Sequence, residues 1–448
     1  MLSQIIFSDS TPSVREAIVT LNSAMTWGQL KRVASSICRE HKLLSMRRVG
    51  LSFQPRAESY AVLAALDKLK CDVFLLDGNL SSPRIAELGR AFKLAAVLEP
   101  ESNGESVRVL VNGFSGEYAW SGHSTVTILT SGSTGEAKAA RHTWDILCRP
   151  VRKADGMSAP RWFLTYRPNL YAGLQVMLQC FVNYGTLVLP GSEHNPQLDA
   201  ELMFAGGVRF VSGTPSYYRQ LLMFADRELM QRIDLEQITL GGEVVDQSLL
   251  DRLKQFFPRA RHVHIYATTE LGRCFSVTDG LAGFPAKYLE RPSPDGVEMK
   301  IHEGELLVRS ANAMQCYDVC SPRYTTEGEW HATGDMVELK GDRAYFVGRK
   351  SEMINVAGSK VYPIEVEQVI RAIAGVSDVR VFGRASSITG QVVACEIVAK
   401  EGLDPMVLRE TVARISMSKL PSYQRPRQIN VVKQIAVSAA GKTLRGVS

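Results

Sequence analysis

The stretch "TILTSGSTGEAKAARHTW" runs from Thr127 to Trp144, and its nine residues from Thr130 to Lys138 include four hydroxyl side chains, two glycines and a lysine. The preceding "TVTIL" predicts a strand that leads into this segment. Glycines let a backbone approach a ligand closely, consecutive main-chain N–H groups can bind an anion, and the lysine adds positive charge. No Gly-Lys-Ser/Thr closes the segment, so it is not a Walker A loop. Two interpretations remain open: a phosphate-binding loop and a solvated Ser/Gly turn.

Helix-like and strand-like patterns alternate along most of the chain. "TWGQLKRVASSICREHKLL" has apolar residues at helical spacing, "RRVGLSFQ" and "DVFLL" are typical of strands, and "QSLLDRLKQFFPR" precedes the strand-like "ARHVHIYA". Strands that alternate with helices predict a large, layered α/β domain with mainly parallel sheets. The strand-like "GELLVRS" and "RAYFVG" predict a small β-region at the end of this domain.

The pattern changes after Gly348. The polar, glycine-containing "RKSEMINVAGSKVYP" is followed by the amphipathic "IEVEQVIRAIAGV", two strand-like segments and the helix-like "PMVLRETVARISMSKL". About a hundred residues in this order predict a small α+β domain. We therefore predict an N-terminal domain at 1–349 and a C-terminal domain at 350–448, with the boundary between Arg349 and Ser351.

The composition narrows the class of protein. The chain has 448 residues, 45% of them hydrophobic and 22% charged, with a net charge of +6. No run of Lys and Arg indicates a nucleic-acid partner, and no apolar stretch of about 18 residues or signal-like N-terminus indicates a membrane anchor or export. The eight cysteines are scattered without a CxxC pair, which favours reduced thiols in the cytoplasm.

Several later segments carry a resemblance when taken together with the opening stretch. They are "LGGEVV" at Leu240, "YATTE" at Tyr266, "GELLVR" at Gly304, "TGD" at Thr333, "VGRKSEMINVAGSKVYPIEVE" at Val347 and "GKTLRG" at Gly441. In content and order they resemble the motifs of the adenylate-forming superfamily, which contains acyl- and aryl-CoA synthetases, luciferases and nonribosomal adenylation domains. The resemblance therefore favours the phosphate-loop interpretation.

The resemblance implies roles for the residues that match the nucleotide-binding motifs. Those that would hold the phosphates are Thr130, Ser131, Gly132, Ser133, Thr134, Gly135 and Lys138. Those that would hold the rest of ATP are Gly241, Gly242 and Glu243 at the adenine, Tyr266 and Thr269 in "YATTE", and Asp335 and Arg349 at the ribose. Glu270 matches the acidic residue that holds Mg²⁺, a cation that prefers oxygen ligands.

The resemblance also implies a mobile C-terminal domain. Lys442 matches the lysine that bridges the substrate carboxylate and ATP, and is a predicted catalytic residue with Lys138 and Glu270. Ser351 matches the hinge, and Gly358 matches the glycine that lines the tunnel for the pantetheine thiol. The predicted cofactors and substrates are ATP, Mg²⁺ and CoA.

The predicted reaction joins a carboxylic acid to a thiol with release of AMP. The residues that match the acid pocket are Tyr171, Thr214, Ala267 and Thr268. Amino-acid-activating members of the family anchor the α-amine with an acidic residue near the segment "RPNLYAGL", which here has no Asp or Glu, so the resemblance disfavours an amino acid. The segments that match the pocket mix aromatic and small residues, which favours an aryl or arylacrylic acid over a long fatty chain. Two alternatives remain: a stand-alone enzyme that loads a carrier protein, and a non-catalytic nucleotide-binding homologue.

Overall fold

The computed structural model describes residues 2–101, 106–112, 122–131, 137–153, 159–191, 195–318, 329–387, 389–400 and 402–437, together with residue 443. Within these ranges the chain is a mixed α/β protein with a large N-terminal and a smaller C-terminal part, as the sequence predicts. None of the described helices combines the length and the apolar character that crossing a membrane requires.

The helices begin and end at recognisable signals. For example, Thr26 precedes the second helix and forms a capping box with Gln29, in which each side chain accepts a hydrogen bond from the other residue's main-chain N–H. The helices of the described chain are α1 Leu2–Ile6, α2 Trp27–Glu40, α3 Ala57–Lys68, α4 Ser82–Ala91, α5 Trp144–Cys148, α6 Tyr171–Phe181, α7 Pro196–Ala205, α8 Pro215–Phe224, α9 Arg227–Arg232, α10 Gln247–Phe256, α11 Pro363–Arg371 and α12 Pro405–Lys419.

The strands alternate with these helices in the first half of the chain and are mostly consecutive thereafter. They are β1 Glu16–Val19, β2 Ala24–Thr26, β3 Arg48–Phe53, β4 Asp72–Asp77, β5 Ala96–Pro100, β6 Val107–Asn112, β7 Thr125–Ser131, β8 Ala137–Thr143, β9 Arg161–Leu164, β10 Thr186–Val188, β11 Phe210–Gly213, β12 Gln237–Gly241, β13 Arg261–Thr268, β14 Gly272–Val277, β15 Phe284–Pro285, β16 Val297–His302, β17 Glu305–Ser310, β18 Cys316–Asp318, β19 His331–Lys340, β20 Arg343–Arg349, β21 Ile354–Val356, β22 Ser359–Val361, β23 Val376–Ser386, β24 Gly390–Ala399 and β25 Gln428–Val431.

Two large sheets form the body of the N-terminal part. The first sheet has the order β14-β13-β12-β11-β9-β10-β1-β2, and the second has the order β18-β8-β7-β4-β3-β5-β6. The central pairs of both sheets are parallel, and antiparallel pairs lie toward the edges. The predicted mainly parallel sheets are therefore confirmed.

Helices fill the space between these two sheets. α3 buries ten of its 12 residues, as expected for a helix with packed neighbours on every side. Trp27 of α2 and Tyr60 of α3 both contact Phe181 of α6, at ring-centroid distances of 4.8 Å and 6.0 Å. One cluster of buried side chains joins these helices to both sheets, so the two sheets share a core.

Two smaller sheets complete the fold. The third sheet is antiparallel, with the order β15-β20-β19-β17-β16, and corresponds to the predicted β-region. The fourth contains β21 to β25, and its core includes side chains of α11 and α12. The 3₁₀ turn Lys350–Glu352 links the third sheet to the fourth, and the predicted boundary falls at this turn.

Candidate active site

Two cavities meet at the C-terminal ends of the parallel strands β12 and β13. The larger has a volume of about 1350 Å³ and the smaller about 720 Å³. The residues that line both are Thr130, Gly242, Ile265, Ala267, Thr268 and Thr269. Ligands of open α/β sheets commonly bind outside the carboxyl ends of the strands, and the junction of the two cavities has this location.

The smaller cavity contains an ordered carboxylate, Asp335, on β19. One carboxylate oxygen accepts a hydrogen bond from the Tyr266 hydroxyl at 2.6 Å, and the other accepts one from Arg349 Nε at 2.9 Å. The Tyr266 ring stacks against Phe275 and Phe346, with centroid distances of 5.3 Å and 4.9 Å. Burial raises the pKa of Tyr266 well above its ordinary value, so this hydroxyl is a donor at neutral pH. The structure therefore brings the predicted residues Tyr266, Asp335 and Arg349 together.

The antiparallel hairpin of β7 and β8 approaches the same cavity from the second sheet. Thr130 pairs with Lys138 across the hairpin. The Lys138 ammonium lies 5.6 Å from the centre of the Tyr317 ring, and the Tyr317 hydroxyl donates a hydrogen bond of 2.8 Å to Glu270. Tyr317 thus links two of the predicted catalytic residues. The sequence interpretation missed it, although the strand-like "CYD" that contains it was a usable signal.

Four of the predicted phosphate-loop residues, Gly132, Ser133, Thr134 and Gly135, lie outside the described residues. Ser131 ends β7, where its backbone pairs with Ala137. The described residues that flank this segment, Thr130 and Lys138, pair with each other between β7 and β8.

The predicted adenine segment follows β12. Gly241 lines the larger cavity, Gly242 lines both, and Glu243 lines the smaller one. Gly242 has φ +85°, a backbone conformation that favours glycine. Both Glu243 oxygens accept main-chain hydrogen bonds, one from Ser216 at 2.9 Å and one from Thr443 at 2.7 Å. Glu243 therefore has a structural contact with the C-terminal part that its sequence motif did not reveal.

The larger cavity lies between the first sheet and α6. Three residues predicted for the acid pocket, Tyr171, Ala267 and Thr268, line this cavity. Its wall also contains Asp295, whose carboxylate accepts hydrogen bonds from Arg152 and Arg273, each at 2.6 Å. Both arginines lower the pKa of Asp295, which burial alone would raise. The wall is therefore partly apolar and partly charged, and sequence inspection missed all three charged residues because they are far apart in the chain.

The remaining predicted residues lie elsewhere. Thr214 is buried and accepts a hydrogen bond from Tyr217 N as the N-cap of α8, and it is not among the described residues that line either cavity. Ser351 is exposed in the 3₁₀ turn. Gly358 has φ +87° in the exposed turn between β21 and β22, with open space around it. Lys442 lies outside the described residues, next to Thr443.

Comparison with known families agrees with this geometry. A model described as "AMP-binding enzyme" matches residues 8–318, and one described as "AMP-binding enzyme C-terminal domain" matches residues 365–442. The chain belongs to the AMP-binding enzyme family. The predicted membership of the adenylate-forming superfamily is therefore confirmed.

Relatives of this AMP-binding enzyme include CoA ligases. It is 25% identical to the 2-succinylbenzoate–CoA ligase of Lactococcus lactis subsp. lactis over 427 residues, covering 89% of each chain. It is 29% identical to the indoleacetate–CoA ligase of Aromatoleum aromaticum over 338 residues, covering 70% of this chain and 64% of the relative. These relatives and the family match confirm the predicted class, an ATP-dependent, AMP-forming acid–thiol ligase.

Solved structures share the fold of this AMP-binding enzyme. The anthranilate CoA ligase AuaEII in complex with anthranoyl-AMP has a TM-score of 0.82 at 19% identity, covering 99% of this chain and 95% of that chain. ATP-bound MatB from Rhodopseudomonas palustris has a TM-score of 0.78 at 17% identity, covering 99% and 96%. At these identities the likeness establishes the fold, and it confirms the predicted fold class.

Proposed function

We propose that this enzyme uses ATP to convert an aryl carboxylic acid to its acyl adenylate and then transfers the acyl group to the thiol of CoA. The observation that carries the proposal is the junction of the two cavities at Thr130, Gly242 and Thr268. An acid in the larger cavity and a nucleotide in the smaller one would meet there. Holding two reactants in one geometry is among the largest contributions that an enzyme can make to rate.

The nucleotide would occupy the smaller cavity with its ribose at Asp335. A carboxylate has about four acceptor positions, so Asp335 can accept two ribose hydroxyls and still keep its hydrogen bonds to Tyr266 and Arg349. Gly242 and the main chain of Glu243 would border the adenine, since both oxygens of the Glu243 side chain accept hydrogen bonds from main-chain N–H groups elsewhere. This arrangement supports the roles that the family resemblance implies for these residues.

The phosphates would lie between the β7–β8 hairpin and Glu270, where the residues present suit Mg²⁺. No group of three His, Cys, Asp or Glu side chains in the described part of the chain could hold a metal by itself. One carboxylate with a nearby hydroxyl, Thr130, fits a cation that is usually held by one or two carboxylates together with substrate phosphates. When bound, Mg²⁺ would supply positive charge to the phosphate oxygens. Lys138 would add its own positive charge at the phosphates, and Tyr317 would hold Glu270 in position.

In the first half-reaction, an oxygen of the acid attacks the α-phosphorus of ATP, and the bond from that phosphorus to the pyrophosphate oxygen breaks. We infer that Lys442 bridges the acid and ATP, since a fixed cation stabilises the charge that develops. In the second half-reaction, the CoA sulfur attacks the acyl carbon and AMP leaves. Gly358 is exposed in the present arrangement. Movement of the C-terminal domain about Ser351 would then bring it to the thiol path.

Two features support an aryl acid. The larger cavity is lined by the stacked pair Trp162 and Phe210, at a centroid distance of 5.0 Å, and by Tyr166 and Tyr171. The relatives named above act on 2-succinylbenzoate and indoleacetate, which are both aryl acids. We propose the same substrate class for this enzyme, with CoA as the acceptor. Its cytoplasmic location remains a prediction from the scattered cysteines.

The test is pyrophosphate release from ATP with a panel of acids, followed by thioester formation. The panel contains 2-succinylbenzoate, indoleacetate, anthranilate, straight-chain fatty acids and the standard amino acids. We expect release with one or more aryl acids and thioester formation with CoA. Efficient release with amino acids alone, or transfer only to a phosphopantetheinyl carrier protein, would contradict the proposal.

A further inference from the structure

The carboxylate of Glu243 joins two distant parts of the chain. Its Oε2 accepts a hydrogen bond from the main-chain N–H of Ser216, and its Oε1 accepts one from the main-chain N–H of Thr443, at 2.9 Å and 2.7 Å. The side-chain oxygens of Ser216 and Thr443 lie 3.2 Å apart, within hydrogen-bond distance of each other. Ser216 is buried in the N-terminal part, whereas Thr443 lies beyond the last described strand of the C-terminal part. Glu243 is therefore a point of attachment for the end of the chain.

The N-terminal half of this attachment is fixed by the helix that carries Ser216. The first N–H groups of a helix have no partner within it, and in α8 the Thr214 side chain binds Tyr217 N while Glu243 binds Ser216 N. A negative charge at a helix N-terminus is also stabilised by the helix dipole. The Glu243 carboxylate is thus oriented by contacts within the N-terminal part, and its Oε1 remains directed at Thr443.

A second contact near Glu243 aligns the C-terminal part. Arg371 of α11 lies 3.7 Å from the carboxylate of Asp246, which also binds Arg219 of α8. Arg371 lies 3.6 Å from Asp378 of the C-terminal part as well. Asp246 is three residues after Glu243, and Arg219 is three residues after Ser216 on the same helix. The two parts therefore meet at two neighbouring points on one surface.

We propose that Glu243 is a positioning residue for adenylation: with Ser216 it forms a socket that receives the main chain at Thr443 and so holds Lys442 at the reacting groups. This inference rests on the proposed function. Consecutive Cα atoms are about 3.8 Å apart, so fixing Thr443 limits where the Lys442 side chain can begin. Hydrogen bonds to an ionised carboxylate are also stronger than those between neutral groups.

The socket would act only while the present domain arrangement lasts. Its donor belongs to the C-terminal part, whereas Glu243 and Ser216 belong to the N-terminal part. A rotation of the C-terminal domain between the two half-reactions would carry Thr443 away from Glu243 and so break this contact. Glu243 should consequently matter for forming the acyl adenylate and should not matter for using it.

The test is Glu243→Gln, assayed separately for the two half-reactions. An amide places an NH₂ group opposite one of two N–H donors, so one of the two contacts is lost. We expect acyl adenylate formation to slow by about 10- to 100-fold, as small misplacements of a reacting group often do. Thioester formation from supplied acyl adenylate should stay within about twofold of the unchanged enzyme, which also controls for folding. The matched control is Glu298→Gln, which neutralises a carboxylate paired with Arg309 and away from both cavities.

Two further measurements separate the socket from other roles of Glu243. Thr443→Pro removes the N–H group that donates to Glu243, so it breaks the same hydrogen bond from the donor's side. Its effect should not add to that of Glu243→Gln. Hydrogen–deuterium exchange of the C-terminal peptide should become faster in Glu243→Gln, whether or not the acid substrate is known. Unchanged exchange, equal slowing of both half-reactions, or a raised KM for ATP with unchanged kcat would overturn the proposal. If exchange responds but no acid is adenylated, the proposed function fails with its adenylation role for Glu243, and only the attachment of Thr443 at Glu243 is supported.

Discussion

The two cavities that meet at β12 and β13 hold their charged side chains in different ways. On the nucleotide side, Asp335 and Arg349 are direct partners in the β19–β20 ladder, so strand register brings their side chains together. On the acid side, Asp295 binds Arg152 and Arg273, which are 143 and 22 residues away in the chain. The nucleotide side thus depends on local backbone pairing, whereas the acid side depends on contacts between separate segments.

This difference has a consequence for substitutions. A change in the ladder at Asp335 should alter the binding of ATP whichever acid is present. A change at Asp295 leaves the strand pairing intact and should alter only the choice of acid. The segment from Ala267 to Glu270 lies where the two cavities meet. Substitutions there should lower the rate of adenylation with every acid, and by more than substitutions on either side.

The largest effect is expected for Glu270→Gln. Removing the charge that would hold Mg²⁺ should lower the rate of pyrophosphate release by about 10³-fold with every acid. Tyr317→Phe is the matched control, since it removes only the hydroxyl that donates to Glu270, and should cost about 10-fold or less. Pyrophosphate release that is unchanged in Glu270→Gln at limiting Mg²⁺ would contradict the assigned role.

Lys442→Ala should reduce adenylation by about 10²–10³-fold, because it removes a cation from the reacting groups. It should still convert supplied acyl adenylate to thioester, since the C-terminal domain would then have moved. Gly358→Leu should do the reverse, with normal pyrophosphate exchange and blocked thioester formation. Equal loss of both half-reactions in a folded Lys442→Ala enzyme would show that the domain movement does not separate them.

Asp199 is a buried carboxylate that lines neither cavity, so its substitution should change the stability of the fold and leave substrate binding unchanged. Asp199 of α7 is 2% exposed, and burial raises its pKa from 3.8 to about 6. Because its pKa is higher in the folded state, Asp199 binds a proton more tightly there than in the unfolded chain. The stability that comes from this proton is fully present below pH 3.8 and is lost as the pH rises through 6. At about 1.4 kcal/mol per pKa unit, the cost at pH 7 is about 3 kcal/mol.

Asp199→Asn should therefore raise the free energy of unfolding at pH 7 by up to about 3 kcal/mol, and the gain should shrink as the pH falls to 4. Urea unfolding at the two pH values measures it. The KM values for ATP and for the acid should not change, which distinguishes this variant from those at the cavities. A gain of the same size at both pH values would rule out titration of Asp199 as the cause.

Asp335→Asn should raise the KM for ATP by about 10- to 30-fold, since the neutral amide accepts weaker hydrogen bonds from the ribose. The same factor should apply with every acid of the panel, because the residue lies on the nucleotide side. Initial rates at varied ATP with two different acids measure it. A factor that differed strongly between acids would break the proposed separation of the two sides.

Much of the fold and of the nucleotide side could be predicted from the sequence. The alternation of strands and helices is local, and short motifs such as "YATTE" and "TGD" lie at strand ends or within ladders, where the backbone determines the positions of Tyr266 and Asp335. The contacts of Glu243 were not predictable, because Ser216 and Thr443 approach it from positions 27 and 200 residues away. Thr214, predicted for the acid pocket, instead caps α8 and lines neither cavity among the described residues, and this contact was equally invisible in the sequence.

The smallest effect, and the sharpest test of the acid side, is expected for Asp295→Asn. Its carboxylate neutralises part of the charge of Arg152 and Arg273, so the substitution leaves a more positive wall in the larger cavity. Attraction to that wall should raise kcat/KM for acids with a second carboxylate, such as 2-succinylbenzoate, relative to indoleacetate by about five- to tenfold. The effect should decrease with added salt, because the Arg152 side chain is 60% exposed and its charge is screened.

The control for Asp295→Asn is Glu298→Gln, which removes the carboxylate partner of Arg309 outside both cavities and should leave this ratio of kcat/KM values unchanged. A shift in the KM for ATP, or a ratio that does not respond to Asp295→Asn, would show that the charged wall does not select the acid.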